Sequence, residues 1–233
     1  MSRRIFKRAN PFTSLARLIL MAAGAVGAYW YLLRPWHRAW GTAPDESSQP
    51  LPGDELLPNS LYEATHAITI NAPAERVWPW IVQMGTGRAG FYSYDVLENA
   101  MGLDIQSADR IRPELQNLQV GDTFPLGPNN FGPKVAVLEP NRVMVLHGDT
   151  RTDENPAVPV KPGEFIAVLW TFYLQPIDGQ KTRLIERFRM DYTPNNPNKL
   201  MYRAFLEPGS FVMERKMLLG IQQRVEAQKA NAG

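Results

Sequence analysis

Between residues 61 and 233 the apolar positions change period several times, and each change predicts an element. YEATHAITIN (62–71) alternates, with Ala67, Thr69 and Asn71 on one side and Ile68 and Ile70 on the other, the period of a strand. NAPAERVWPWIVQM then takes helical spacing, with Val77, Ile81 and Met84 on one face. Asn71 offers a cap, Pro73 suits the first turn, and Glu75 complements the helix dipole. Pro79 predicts a bent or short helix. After a glycine-rich turn, SYDVLENAMG predicts a second short helix, capped by Ser93 and stopped by Gly102, with Val96, Leu97 and Met101 inward.

Strand signals follow at hairpin intervals over 120–126, 134–139, 142–148, 165–177 and 181–192, punctuated by Glu139-Pro140-Asn141-Arg142 and Asp178-Gly179-Gln180. Sequential strands without intervening helices predict an antiparallel meander. A final helix is expected from Asn198 to about Gln228, broken at Pro208-Gly209. Its apolar stripe is Phe211, Leu218, Ile221 and Val225, widened by Val212 and Leu219. The expected fold is α+β: a curved antiparallel sheet around a long C-terminal helix, with two short helices after the first strand. A helix does not fill such a concavity completely, so a cavity is expected.

The N-terminal region has a different pattern. LILMAAGAVGAYWYLL, between Arg17 and Arg34, carries no charge, and its flanks Phe12 to Ala16 and Pro35-Trp36 extend it to spanning length. About 20 residues at 1.5 Å each cross a hydrocarbon core. Trp30, Tyr31 and Trp36 stand where an interfacial aromatic belt belongs. A cleaved signal peptide would end in small residues, and a core helix would lack the basic flank, so an uncleaved anchor is the preferred reading. Arg3, Arg4, Lys7, Arg8 and Arg17 precede the span, against Arg34 and Arg38 after it. That bias predicts a cytoplasmic N-terminus and an extracytoplasmic main domain. Residues 41–60 hold four prolines and two glycines and read as an extended spacer. The expected organisation is a basic N-terminus (1–11), a transmembrane helix (12–36), a Pro-rich linker (37–60) and a ligand-binding domain (61–230).

Composition narrows the function. The 233 residues are 44% hydrophobic and 21% charged, which excludes wholesale disorder. The absence of cysteine excludes disulfides, thiolate metal sites and a cysteine nucleophile. Residues 1–40 carry seven basic residues and no acid, leaving a mildly acidic body, which argues against a nucleic-acid partner.

ITINAPAERVWPWIVQMG, QVGDTF and VLEPNRVMVLHG together resemble the SRPBCC or START-like helix-grip superfamily, which includes polyketide cyclase-like and lipid-transfer proteins. The resemblance spans Leu61 to Gln228, and QMGTGRAGFYSYDVLENAMG resembles a bacterial subgroup without an assignable activity. It implies the fold derived above and a partner that is a lipid or other hydrophobic small molecule. Members of the superfamily bind sterols, phospholipids, polyketides, quinones or plant hormones, and some are enzymes.

Candidate chemistry is sparse. Gly85 to Gly90 match G-x-G-x-x-G, but a helix precedes them rather than a strand, so the reading is an interhelical turn and no nucleotide cofactor is expected. Near that turn stand Arg88, Tyr92, Tyr94 and Glu98. Arg88 either takes a ligand carboxylate or phosphate, or pairs with Asp95 or Glu98 to hold the turn. Alternation in RLIERFRMDY puts Leu184, Glu186, Phe188 and Met190 on the cavity side, opposite Arg183, Arg187 and Arg189. Glu186 there is a ligand anchor or general acid/base, a structural partner of His147 or Arg88, or a wet residue left exposed by twist. Trp170 is a further lining candidate. His37, His66 and His147 show no metal-ligand spacing, so no metal is expected. No nucleophile elbow is present. These features place binding of a hydrophobic ligand ahead of a cyclase or dehydratase-like enzyme using a cavity carboxylate, and ahead of an envelope scaffold.

Overall fold

The computed structural model describes residues 11–152 and 160–230. The expected basic N-terminus over 1–11 falls almost wholly outside them. The chain forms two units, 1–37 and 38–233.

In the first unit, helix α1 (Pro11–Ala28) continues through a wide π turn (Tyr29–Leu33) into α2 (Arg34–Arg38). The stretch Ala16–Arg38 is long and apolar enough to cross a membrane by length and composition. The π turn stands immediately before Pro35. A proline supplies no N–H and its ring crowds the carbonyl four residues back, and a widened turn relieves both.

In the second unit, strands β1 (Tyr62–Ile70), β2 (Lys134–Glu139), β3 (Val143–Asp149), β4 (Ile166–Pro176) and β5 (Thr182–Tyr192) form one sheet in the order β1-β5-β4-β3-β2, antiparallel throughout. Helices α3 (Ala74–Val82) and α4 (Asp95–Ala100) follow β1, then α5 (Asn196–Met201), a π turn (Tyr202–Leu206) and α6 (Glu207–Ala230) close the chain. This is the helix-grip arrangement expected from the pattern. Ile68, Ile70, Leu146, Phe172 and Leu184 from the sheet bury against Val77 and Ile81 of α3 and Leu218, Ile221 and Val225 of α6. Gly220 permits a close approach of α6: a Cβ there would lie 2.2 Å from the carbonyl oxygen of Tyr92.

Several expectations change. Residues 120–126 do not form a sixth strand; they run beside β2 through the single bridge Thr123–Lys134, and Pro125 cannot donate to a ladder. The last helix passes unbroken through Pro208-Gly209, and the irregularity is the π turn just before Pro208, as before Pro35. Asn71 does not cap α3; its backbone and side-chain amides donate to Glu226. Ser93 does not cap α4; its hydroxyl donates to the Met213 carbonyl. Helix α4 is turned relative to the prediction: Val96 (82% exposed) and Leu97 face outward while Glu98 is buried, and Met101, though exposed, lines a cavity.

The largest correction concerns 37–60. From Arg38 onward this stretch is no extended linker but an arm folded over the convex face of the sheet. The Trp40 carbonyl accepts from Ala67 N at the edge of β1. Leu51 buries against Ala67 and Ile185, and Leu57 against Val143, Val145, Ala167 and Leu169. Arg183 pairs with Glu46, and Arg187 with Asp54, each at 2.6 Å. Arg187, 1% exposed, also donates to the carbonyls of Glu46, Ser47 and Gln49. The arginines that alternate with the cavity-side residues of β5 therefore fasten the arm.

Candidate functional site

Among the described residues, two cavities are found on the concave side. One of about 210 Å³ is walled by Phe91, Leu103, Trp170, Phe188 and Met217, with Glu98 and Glu214 contributing carboxyl groups. The other, about 360 Å³, lies between β3 to β5 and the π turn at Tyr202–Leu206. Leu126 and Phe188 line both.

The strand register sets His66 of β1 opposite Glu186 of β5, and Glu186 opposite Phe172 of β4. Because side chains alternate across a sheet, His66 and Glu186 emerge side by side on the concave face. Helix α6 crosses above them and lowers Glu214 onto the pair. The result is a fully or nearly buried group of one imidazole and two carboxyls. His66 Nδ1 lies 2.9 Å from Glu186 Oε2 and 3.3 Å from Glu214 Oε2. Trp170 Nε1 donates to the other oxygen of Glu186 at 2.5 Å.

Burial pushes the Glu214 carboxyl up to about 8, and the charge of Glu186 pushes the same way while His66 opposes. Burial, with Asp95 adding, raises Glu98 to about 7. Tyr62, at the end of β1, has its hydroxyl raised by burial and by the charges of Glu214, Glu207 and Glu186. Acid groups thus meet an otherwise apolar cavity wall in protonatable form.

Glu98, Trp170 and Phe188 line the first cavity as expected, and Glu186 stands behind Trp170. Glu186 is fully buried, so it is not wet, and its companions are His66 and Trp170 rather than His147 or Arg88. Arg88 lines neither cavity and pairs with neither Asp95 nor Glu98. Its guanidinium donates to the carbonyls of Val82, Met84 and Leu115, bracing the glycine turn from within, and Asp95 instead accepts from Ser107. Burial lowers the Arg88 pKa. Tyr92 is also structural: its hydroxyl donates to the Trp80 carbonyl and accepts from Gln83. Tyr94 is exposed, near the Lys216 ammonium, and does not line either cavity.

Sequence reasoning missed His66 and Glu214. Both carried a signal. Glu214 falls in register with Phe211, Leu218, Ile221 and Val225, a carboxyl set into an apolar helical stripe. His66 shares the parity of Ile68 and Ile70 on β1.

No family model matches the chain, and no curated protein matches it. Solved structures to which it is similar include the polyketide cyclase-like protein of Corynebacterium glutamicum, 21% identical with a TM-score of 0.30, over 73% of this chain and 90% of that one. The Zhui aromatase/cyclase of a Streptomyces species is 17% identical with a TM-score of 0.30, over 74% and 98%. A protein of Mesorhizobium loti is 15% identical with a TM-score of 0.39, over 71% and 98%.

Proposed function

We propose that the chain is a membrane-anchored binding protein that holds a lipid or other hydrophobic small molecule between the sheet and α6. The observation that carries this reading is the cavity itself, with aromatic, leucine and methionine walls and a few polar groups at its margin. Small-molecule sites have this character; the neighbouring cavity, at about 360 Å³, falls within their usual size of about 300–1,000 Å³, and this one, at about 210 Å³, is smaller. The apolar helix 16–38 supports a single-pass anchor, and the basic bias of the first residues supports a cytoplasmic N-terminus with the domain on the other side. Tethering raises the concentration of the cavity near the bilayer, where such ligands reside.

The test is mass spectrometry of solvent extracts from the full chain, compared with a Met217→Trp variant that fills the cavity. A compound carried by the wild type and lost from the equally folded variant is the cavity ligand. Equal carriage by both proteins assigns the compound to lipid around the anchor and refutes the reading.

The buried histidine and carboxyls favour a second reading, a cyclase or dehydratase-like enzyme. Glu214 reaches the cavity wall with His66 and Glu186 behind it, the geometry of a supported general acid/base. This His–acid pair, absent as a sequence spacing, is assembled by the sheet register.

A further inference from the structure

We infer that His66, Glu186 and Glu214 form a site for a first-row divalent cation, with zinc its natural probe. Each residue offers one ligand atom, and these atoms all lie within 4.8 Å of one another. Zinc bonds of roughly 2.0–2.2 Å in a tetrahedron set ligand atoms about 3.4 Å apart. The separations of 2.9 and 3.3 Å from the imidazole nitrogen lie within about half an ångström of that, and the two carboxyl oxygens, within 4.8 Å of each other, close the triangle by side-chain adjustment.

Charge and hydrogen bonding independently call for a cation. Two carboxyls face one imidazole nitrogen, and among the described residues no lysine or arginine pairs with either. Glu214 Oε2, on a side chain only 9% exposed, accepts no hydrogen bond although it points at His66 Nδ1. A buried carboxyl oxygen without a hydrogen bond is costly. A dication bound to Nδ1 and to both carboxylates neutralises the pair and satisfies that oxygen. The Trp170 indole N–H, held on the second oxygen of Glu186, does what an outer-shell donor does for a ligating carboxylate: it fixes the orientation.

The donor set selects the metal. One imidazole nitrogen and two carboxylate oxygens suit zinc and its first-row neighbours, whereas calcium takes six to eight oxygens, which this apolar wall does not supply. Three protein ligands leave a further coordination position. Since Glu214 and Trp170 both line the cavity, that position faces its contents, where an oxygen of the bound molecule can take it. The inference does not depend on what the cavity binds.

The experiment uses the full chain, purified in detergent without a histidine tag, stripped with chelator and dialysed against zinc, calcium or cobalt(II). Elemental analysis is expected to find about one zinc per chain and no retained calcium. His66→Ala and Glu214→Gln are expected to lose it, and Trp170→Phe to bind it about 10-fold more weakly, with circular dichroism confirming that each variant is folded. Zinc absent from the wild type, or retained equally by folded ligand variants, overturns the inference and leaves the acid/base reading standing. Should both ligand variants unfold, the visible spectrum of the cobalt(II) wild type decides. Tetrahedral nitrogen and oxygen ligation supports the site, and the spectrum of hydrated cobalt overturns it.

Discussion

Asp54→Ala tests whether the arm over 38–60 belongs to the folded domain. Asp54 accepts from Arg187 at 2.6 Å, lies 3.4 Å from Arg189, and also accepts from the Leu51 backbone N–H at 2.9 Å. Arg187 is 1% exposed, so removing its carboxylate leaves a buried guanidinium held only by carbonyls and Thr65. Breaking a buried pair from one side costs about 3–5 kcal/mol. Asp54 itself keeps some solvent contact and the carbonyls remain, so about 2–4 kcal/mol is expected. For a chain of this size that is a fall in Tm of roughly 4–16 °C. The assay is thermal and urea unfolding of the full chain. Glu139→Ala, which removes the exposed Glu139–Arg142 pair, serves as the control and should cost under about 1 kcal/mol. If Asp54→Ala matches that control, the arm is detached in solution and the spacer reading of these residues is restored.

Other predictions follow from the packing and the carboxyls. Leu57→Ala should destabilise by about 2–5 kcal/mol in the same assay, because Leu57 is buried against β3 and β4. Gly220→Ala should destabilise despite a helix-propensity gain of about 1 kcal/mol, since its Cβ would meet the Tyr92 carbonyl at 2.2 Å; a more stable variant would show that α6 can shift. Glu98 gives a pH dependence. Its folded pKa, about 7, lies above the ordinary 4.5, so the folded chain holds the extra proton between those values. Its contribution to stability is full below pH 4.5 and is lost as pH rises through 7. Glu98→Gln should remove that dependence and, at pH 8, be more stable than wild type by at most about 3 kcal/mol; parallel pH profiles for the two proteins would refute it.

How much of this was legible in the chain depends on the range of the interaction. Alternation along β1 and β3 to β5, and the 3.6-residue stripe of α6, are repeated locally over enough residues to identify element and buried face together. That local periodicity determined the helix-grip order and the face of β5 that carries Glu186 and Phe188. Helix α4 has six residues, too few turns for a period to select a face, and only its packing decided that Glu98 points in and Val96 out. The arm misleads by composition. Its prolines and polar residues read as spacer because its fastening groups, Arg183, Arg187 and Arg189, lie on β5 more than 130 residues away. Tertiary structure alone made the candidate site. His66 meets Glu186 through strand register, and Glu214 joins them because α6 crosses the sheet at that point; neither relation is written in the spacing of residues along the chain.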